Sequence, residues 1–106
     1  MAAQKIFKII PTSQLISSQI SKRILPQIND LNYIHTSVGC TQVNYVIKKH
    51  FHNKDHHILQ IDPTKMPEGW SMRINNGYAH FYWPENAQSQ DDRSLPWSMV
   101  VNNDCS

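Results

Sequence analysis

Leu31-Asn32-Tyr33-Ile34-His35-Thr36-Ser37, then Val38-Gly39-Cys40, then Thr41-Gln42-Val43-Asn44-Tyr45-Val46-Ile47-Lys48-Lys49-His50-Phe51, is the stretch that decides the fold class. Its first part reads as a strand that puts Leu31, Tyr33, His35 and Ser37 on one face. Gly39 breaks the chain. Beyond it Val43, Val46, Ile47 and His50 or Phe51 form a compact apolar stripe at helical spacing, with Thr41 as the expected cap.

Working outward, Lys5-Ile6-Phe7-Lys8-Ile9-Ile10 reads as a first strand ending at Pro11. A helix capped by Thr12 or Ser13 follows, with Leu15, Ile16, Ile20 and Ile24 near helical spacing, and Pro26 with Asn29-Asp30 closes it. On the other side His52-Asn53-Lys54-Asp55 is a turn, His56 to Asp62 reads as a third strand, and Pro63 to Gly69 is a shaped loop. Trp70 to Ile74 and Tyr78 to Trp83 flank Asn75-Asn76-Gly77, a hairpin signal because Asn and Gly tolerate positive φ. Glu85 to Ser94 is polar without periodicity and is expected to be a flexible loop or insertion, and Trp97 to Val101 reads as the last strand. The order β-α-β-α-β-β-β-β predicts one small α/β (α+β) domain over residues 1–106, with a mixed rather than doubly wound sheet.

A length of 106 residues fits one domain and a modest core, and the 40% of hydrophobic residues are enough to build it. Ten basic against eight acidic residues give a net charge of +2, too weak to point to nucleic acid or an anionic membrane. No apolar run approaches a membrane span, and Met1-Ala2-Ala3-Gln4-Lys5 lacks the apolar run of a signal peptide. Cys40 and Cys105 make no disulfide framework and are expected as free thiols, so a cytoplasmic domain is the default.

Two stretches carry candidate chemistry. His35 and Ser37 share a strand face, and Gln42 follows near a helix start, where free N–H groups can meet an anion. The plain alternative is a partly buried histidine bonded to a backbone carbonyl, which on the residues alone is the more ordinary reading. In Tyr78-Ala79-His80-Phe81-Tyr82-Trp83, His80 and Tyr82 share one face, while Phe81 and Trp83 point to the other. Such a His/Tyr pair can bond a polar group and stack on a planar ring, or simply edge the core. His50, His52, His56 and His57 lack the spacing of a metal set, and a cationic helix end accounts for them, so no metal is expected.

Taken in order, Ile6-Phe7-Lys8-Ile9, Tyr33-Ile34-His35-Thr36-Ser37, Gln42-Val43, His50-Phe51, Leu59-Gln60-Ile61-Asp62, Trp70 and Ala79-His80-Phe81-Tyr82 resemble the domain of unknown function 952 family. The likeness runs from about Lys5 to Val101. That family is similar in fold to the ADP-ribosyltransferase superfamily, which implies a split, mostly antiparallel sheet with two helices and a central cleft for NAD. By position the resemblance places His35, Ser37, Gln42 and Tyr82 at the ligand and His35 and His80 as catalytic candidates. The family's W-E step is Trp70-Ser71 here, so its acidic residue is missing; Glu68 is the nearest substitute, and Trp83 stands where the family has glycine. The expectation is therefore a small-molecule-binding cleft for NAD, ADP-ribose or another phosphorylated nucleotide-like ligand. One alternative is an ADP-ribosyl- or phosphoryl-transfer enzyme. Another is a non-catalytic domain that meets a protein partner through exposed Trp83 and Trp97.

Overall fold

The computed structural model describes residues 5–27, 30 and 32–101. Leu31, expected to open a strand, Asn29 and Cys105 lie outside the described residues. The elements run β1 (Ile6–Pro11), α1 (Thr12–Ser21), β2 (Arg23–Ile24), β3 (Tyr33–Val38), α2 (Gly39–His50), β4 (His56–Ile61), β5 (Ser71–Asn75), β6 (Tyr78–Tyr82), β7 (Leu95–Pro96) and β8 (Val100–Val101). Short 3-10 turns occupy Pro63–Lys65 and Trp97–Met99. Six strands form one sheet in the order β5-β6-β3-β1-β4-β8, and β2 pairs with β7 in a separate ribbon. All strand pairings are antiparallel. The fold is a small α+β domain with two helices, as expected.

Alternation along the strands sorts the residues onto two faces. Ile6 and Ile10 of β1, Ile34 of β3, Leu59 and Ile61 of β4 and Ala79 and Phe81 of β6 meet Ile24, Leu95 and Met99 in the larger core. On the opposite face Phe7 and Ile9 meet Val43 of α2, with Val46, Ile47, Phe51 and Ile58 around them. The apolar stripe of α2 therefore packs on β1. Across β3, β6 and β5 the same face of the sheet carries Tyr33, His35 and Ser37, then Tyr78, His80 and Tyr82, then Ser71, Arg73 and Asn75, by register.

The sheet opens between its halves. β1 and β3 pair only at Ile6↔Val38 and Phe7↔Ser37, whereas β1 pairs with β4 along its whole length and β3 with β6 from Tyr33 to Ser37. Beyond Phe7 the carbonyl of His35 has no ladder partner on β1 and accepts instead from Lys8 Nζ at 3.0 Å. A buried carbonyl needs a donor, and the lysine supplies one where the strands part.

Several local expectations differ from the structure. No side chain caps either helix: Pro11 precedes α1 and Val38 precedes α2, which begins two residues before the expected Thr41 cap. Ile16 and Ile20 are 66% and 78% exposed, so the helical spacing of α1 does not mark a buried face. Ile24 belongs to β2, whose two-residue ladder is too short to leave a periodic signal. Trp97 to Met99 is a 3-10 turn, and only Val100–Val101 pairs as a strand, with β4. Residues 85–94 form no helix or strand, and Arg23 holds the end of this loop through Ser94 Oγ, Ser94 O and Asp91 O. Trp83 and Trp97 are not exposed aromatics; both pack against the larger core. Cys40 is disulfide-bonded, so the free thiol expected there is corrected and the cytoplasmic expectation loses that premise. No helix among the described residues is long and apolar enough to cross a membrane.

The β5–β6 turn follows its sequence signal, with φ of 54° at Asn76 and 84° at Gly77. A Cβ at Gly77 would lie 2.8 Å from Gln42 Oε1, which can swing aside, so backbone strain dominates. Gly77→Ala is expected to cost about 1–2 kcal/mol, measured as a lower urea midpoint at unchanged slope.

Candidate functional site

His35 and His80 are direct cross-strand partners on the same face of β3 and β6. Their rings lie 5.1 Å apart between centroids, edge to face. Tyr33 stacks on His80 at 4.1 Å, and Tyr82 closes the aromatic cluster 5.0 Å from Tyr33. Period-two alternation from two separate stretches produces this wall, so it was legible from sequence. A cavity of about 350 Å³ lies against it, with Val46, His50 and Phe51 from the end of α2 on the opposite side.

Asp30 was not anticipated as part of this site. Its side chain is 1% exposed, and Oδ1 lies 2.8 Å from His35 Nδ1. A carboxylate only accepts, so Nδ1 carries the proton and Nε2 is left as the basic nitrogen of the neutral ring. Asp30 Oδ2 accepts from the Gln27 backbone N–H at 2.8 Å, which anchors the carboxylate from its other side. The arrangement is a carboxylate-oriented imidazole, the pairing that general bases use.

Lys8 completes the floor. Alternation along β1 places it toward the larger core, but the split between β1 and β3 lets it line the same cavity, as Thr36 does. The lysine is 4% exposed and, among the described residues, makes one hydrogen bond, to His35 O. Burial pushes its amine below the ordinary lysine pKa, with the Asp30 charge opposing in part. His80 is also shifted down, first by burial, then by His35 nearby, against a smaller upward pull from Asp30. His80 therefore favours the neutral, accepting form.

Both shifts have the same consequence for stability. In the unfolded chain the lysine regains a pKa of about 10.4 and the histidine about 6.5. Between each lowered native value and the unfolded one, the unfolded state binds more protons, so stability rises with pH. For His80 the contribution is complete above about pH 6.5 and is lost as pH falls toward the native value. For Lys8 stability rises with pH until about 10.4. Urea midpoints measured from about pH 7 to about pH 9.5 should therefore climb more steeply in the native sequence than in Lys8→Met. Equal slopes would contradict a lysine held away from water.

The remaining expected residues divide. Ser37 is buried and lines the first cavity. Gln42 lies against the turn at Gly77 and is not among the residues lining that cavity. The first N–H of α2, on Gly39, is taken by Lys5 O. Tyr82 lines a second cavity of about 610 Å³, together with Ser71, Arg73, Trp83 and Arg93. There Arg73 lies over the Tyr82 ring at 5.7 Å and Arg93 over Trp83 at 5.4 Å. Glu68 lines neither cavity; the acidic residues that do are Asp30 in the first and Glu85 in the second.

Comparison with family models, with curated proteins and with solved structures gives no match. None of these comparisons bears on the family expected from the sequence, and the geometry of the cleft carries the functional reading.

Proposed function

We propose that the cleft binds a nucleotide-like small molecule, with a planar ring against Tyr33 and His80 and an anionic portion reaching toward Arg73 and Arg93. The observation that carries this reading is the cross-strand pair His35↔His80, facing one cavity with Tyr33 stacked beside it. Aromatic and imidazole faces suit a heterocycle, and guanidinium groups suit phosphate oxygens. The two cavities flank consecutive same-face residues of β6, His80 lining one and Tyr82 the other, so a single extended ligand can engage both. NAD, ADP-ribose and simple nucleoside phosphates are the ligands to try, in keeping with the resemblance to the ADP-ribosyltransferase superfamily.

One observation favours a catalytic version of this reading. The Asp30–His35 pair and a neutral His80 supply an oriented base and a second proton acceptor at one cavity. An ADP-ribosyl- or phosphoryl-transfer enzyme would use His35 and His80 in those roles. Ser71 stands where the resembled family has its acid, so Asp30 is the carboxylate such chemistry would draw on. The interaction-domain reading has lost its exposed tryptophans and is not favoured.

A titration followed by NMR tests the proposal. With NAD, ADP-ribose and nucleoside monophosphates, shifts are expected at 33–37 and 78–83, and turnover of NAD would single out the enzyme. No shift in either segment with any of these ligands would overturn the reading.

A further inference from the structure

We propose that Lys8 is an amine nucleophile at the floor of the first cavity, placed to form a Schiff base with a small planar aldehyde or ketone. The proposal shares the cavity of the preceding section but not its ligand, and either can fail without the other.

Three observations point to it. First, Lys8 is 4% exposed yet lines a cavity of about 350 Å³, because the strands part beside it. Second, its Nζ has one hydrogen-bond partner among the described residues, His35 O at 3.0 Å. An ammonium has three N–H groups, and placing two of them in a narrow cavity without protein partners is costly, so the site suits an uncharged amine with its lone pair available. The downward shift of this amine by burial agrees with that geometry. Third, Gln27 Nε2, on another residue lining the cavity, is a buried donor without a partner among the described residues. A carbonyl or hydroxyl oxygen on a bound molecule would satisfy it. The stacked Tyr33–His80 pair borders the cavity where a bound ring can pack, and His35 is the proton carrier of the same cavity.

The chemistry needs no oxidant, reductant or metal. The lone pair of Nζ adds to the carbonyl carbon, a C–N bond forms, and the C=O pair moves onto oxygen. A proton passes from the nitrogen to that oxygen by way of His35, giving a carbinolamine. The C–O bond then breaks as the nitrogen's remaining proton passes by way of the His35 imidazole to the departing hydroxyl, which leaves as water. A C=N bond is left, and His35 ends neutral as it began. Amine plus carbonyl gives imine plus water. Buried lysines with depressed pKa values are the usual source of this reactivity.

Reductive trapping reads the outcome on the intact chain. Pyridoxal 5′-phosphate is used as the probe, a planar aldehyde carrying an anionic group, with cyanoborohydride at neutral pH, and labelled lysines are located by peptide mass mapping. Lys8 is expected to be labelled faster than exposed Lys22, Lys48, Lys49, Lys54 and Lys65, despite its burial. His35→Gln should slow labelling at Lys8 by about tenfold or more while leaving the exposed lysines unchanged. Lys8→Met, in which an unbranched side chain of similar reach fills the slot, should remove the fast site and keep the fold by circular dichroism. Labelling of Lys8 more slowly than the exposed lysines, or not at all, would overturn the proposal. That result can be read from the native sequence alone.

Discussion

Phe81→Ala is expected to lower stability by about 3–5 kcal/mol, the range for deleting a fully buried aromatic ring. Phe81 is 0% exposed, and its strand neighbours are Ile34 on β3 and Met72 on β5. The ring sits at the centre of the larger core, where the surrounding β6, β3 and β5 backbones cannot close the gap. Domains of this size hold about 5–15 kcal/mol in total, and each kcal/mol moves the melting temperature by about 4–8 °C. A drop of more than about 12 °C should therefore appear in a thermal melt. His80→Ala, one residue away, is expected to shift the melt little, because His80 is on the opposite, partly open face. It should instead abolish binding in the cleft. The contrast between neighbouring residues tests the alternation that builds the site, and a large stability loss for both would show that His80 belongs to the core.

Asp30→Ala has the second largest expected effect, a loss of about 3 kcal/mol. The substitution removes the acceptor for His35 Nδ1–H and for the Gln27 N–H, and it leaves Lys8 without the carboxylate charge that favours its ammonium form. Asp30→Asn keeps the shape and an accepting oxygen, so a smaller loss is expected, measured by urea denaturation. Both variants also remove the upward pull of Asp30 on His80, whose pKa should fall further in an NMR titration. A rise or no change would mean that the carboxylate does not act across this cavity. Ligand binding should weaken in both, because the His35 ring loses the partner that orients it.

How much of this could be read in the residues follows from the range of the forces involved. β1, the β5–β6 hairpin and the placement of His35 and His80 were legible because they depend on period-two alternation and on an Asn-Gly turn, which are local. α1 misled because Ile16 and Ile20 keep helical spacing while the helix packs through Leu15 and Ser18. β2 and β7 escaped because two-residue ladders are held by their partners rather than by their own composition. Asp30 and Lys8 escaped for a different reason. One reads as a turn residue and the other as a polar position in a strand, and only the split between β1 and β3 brings both to the His35 cavity. Gln42 followed His35 closely in sequence, yet the start of α2 carries it to the hairpin turn.

Nuclear Overhauser contacts between ring protons are the most direct test of the claim that two imidazoles from separate strands face one hollow. Contacts between Tyr33 and His80 and between His35 and His80 are predicted, with both imidazoles also responding to a soluble paramagnetic agent. A spectrum in which the His80 ring instead contacts Phe81 and Ile34, and is shielded from solvent, would contradict the account.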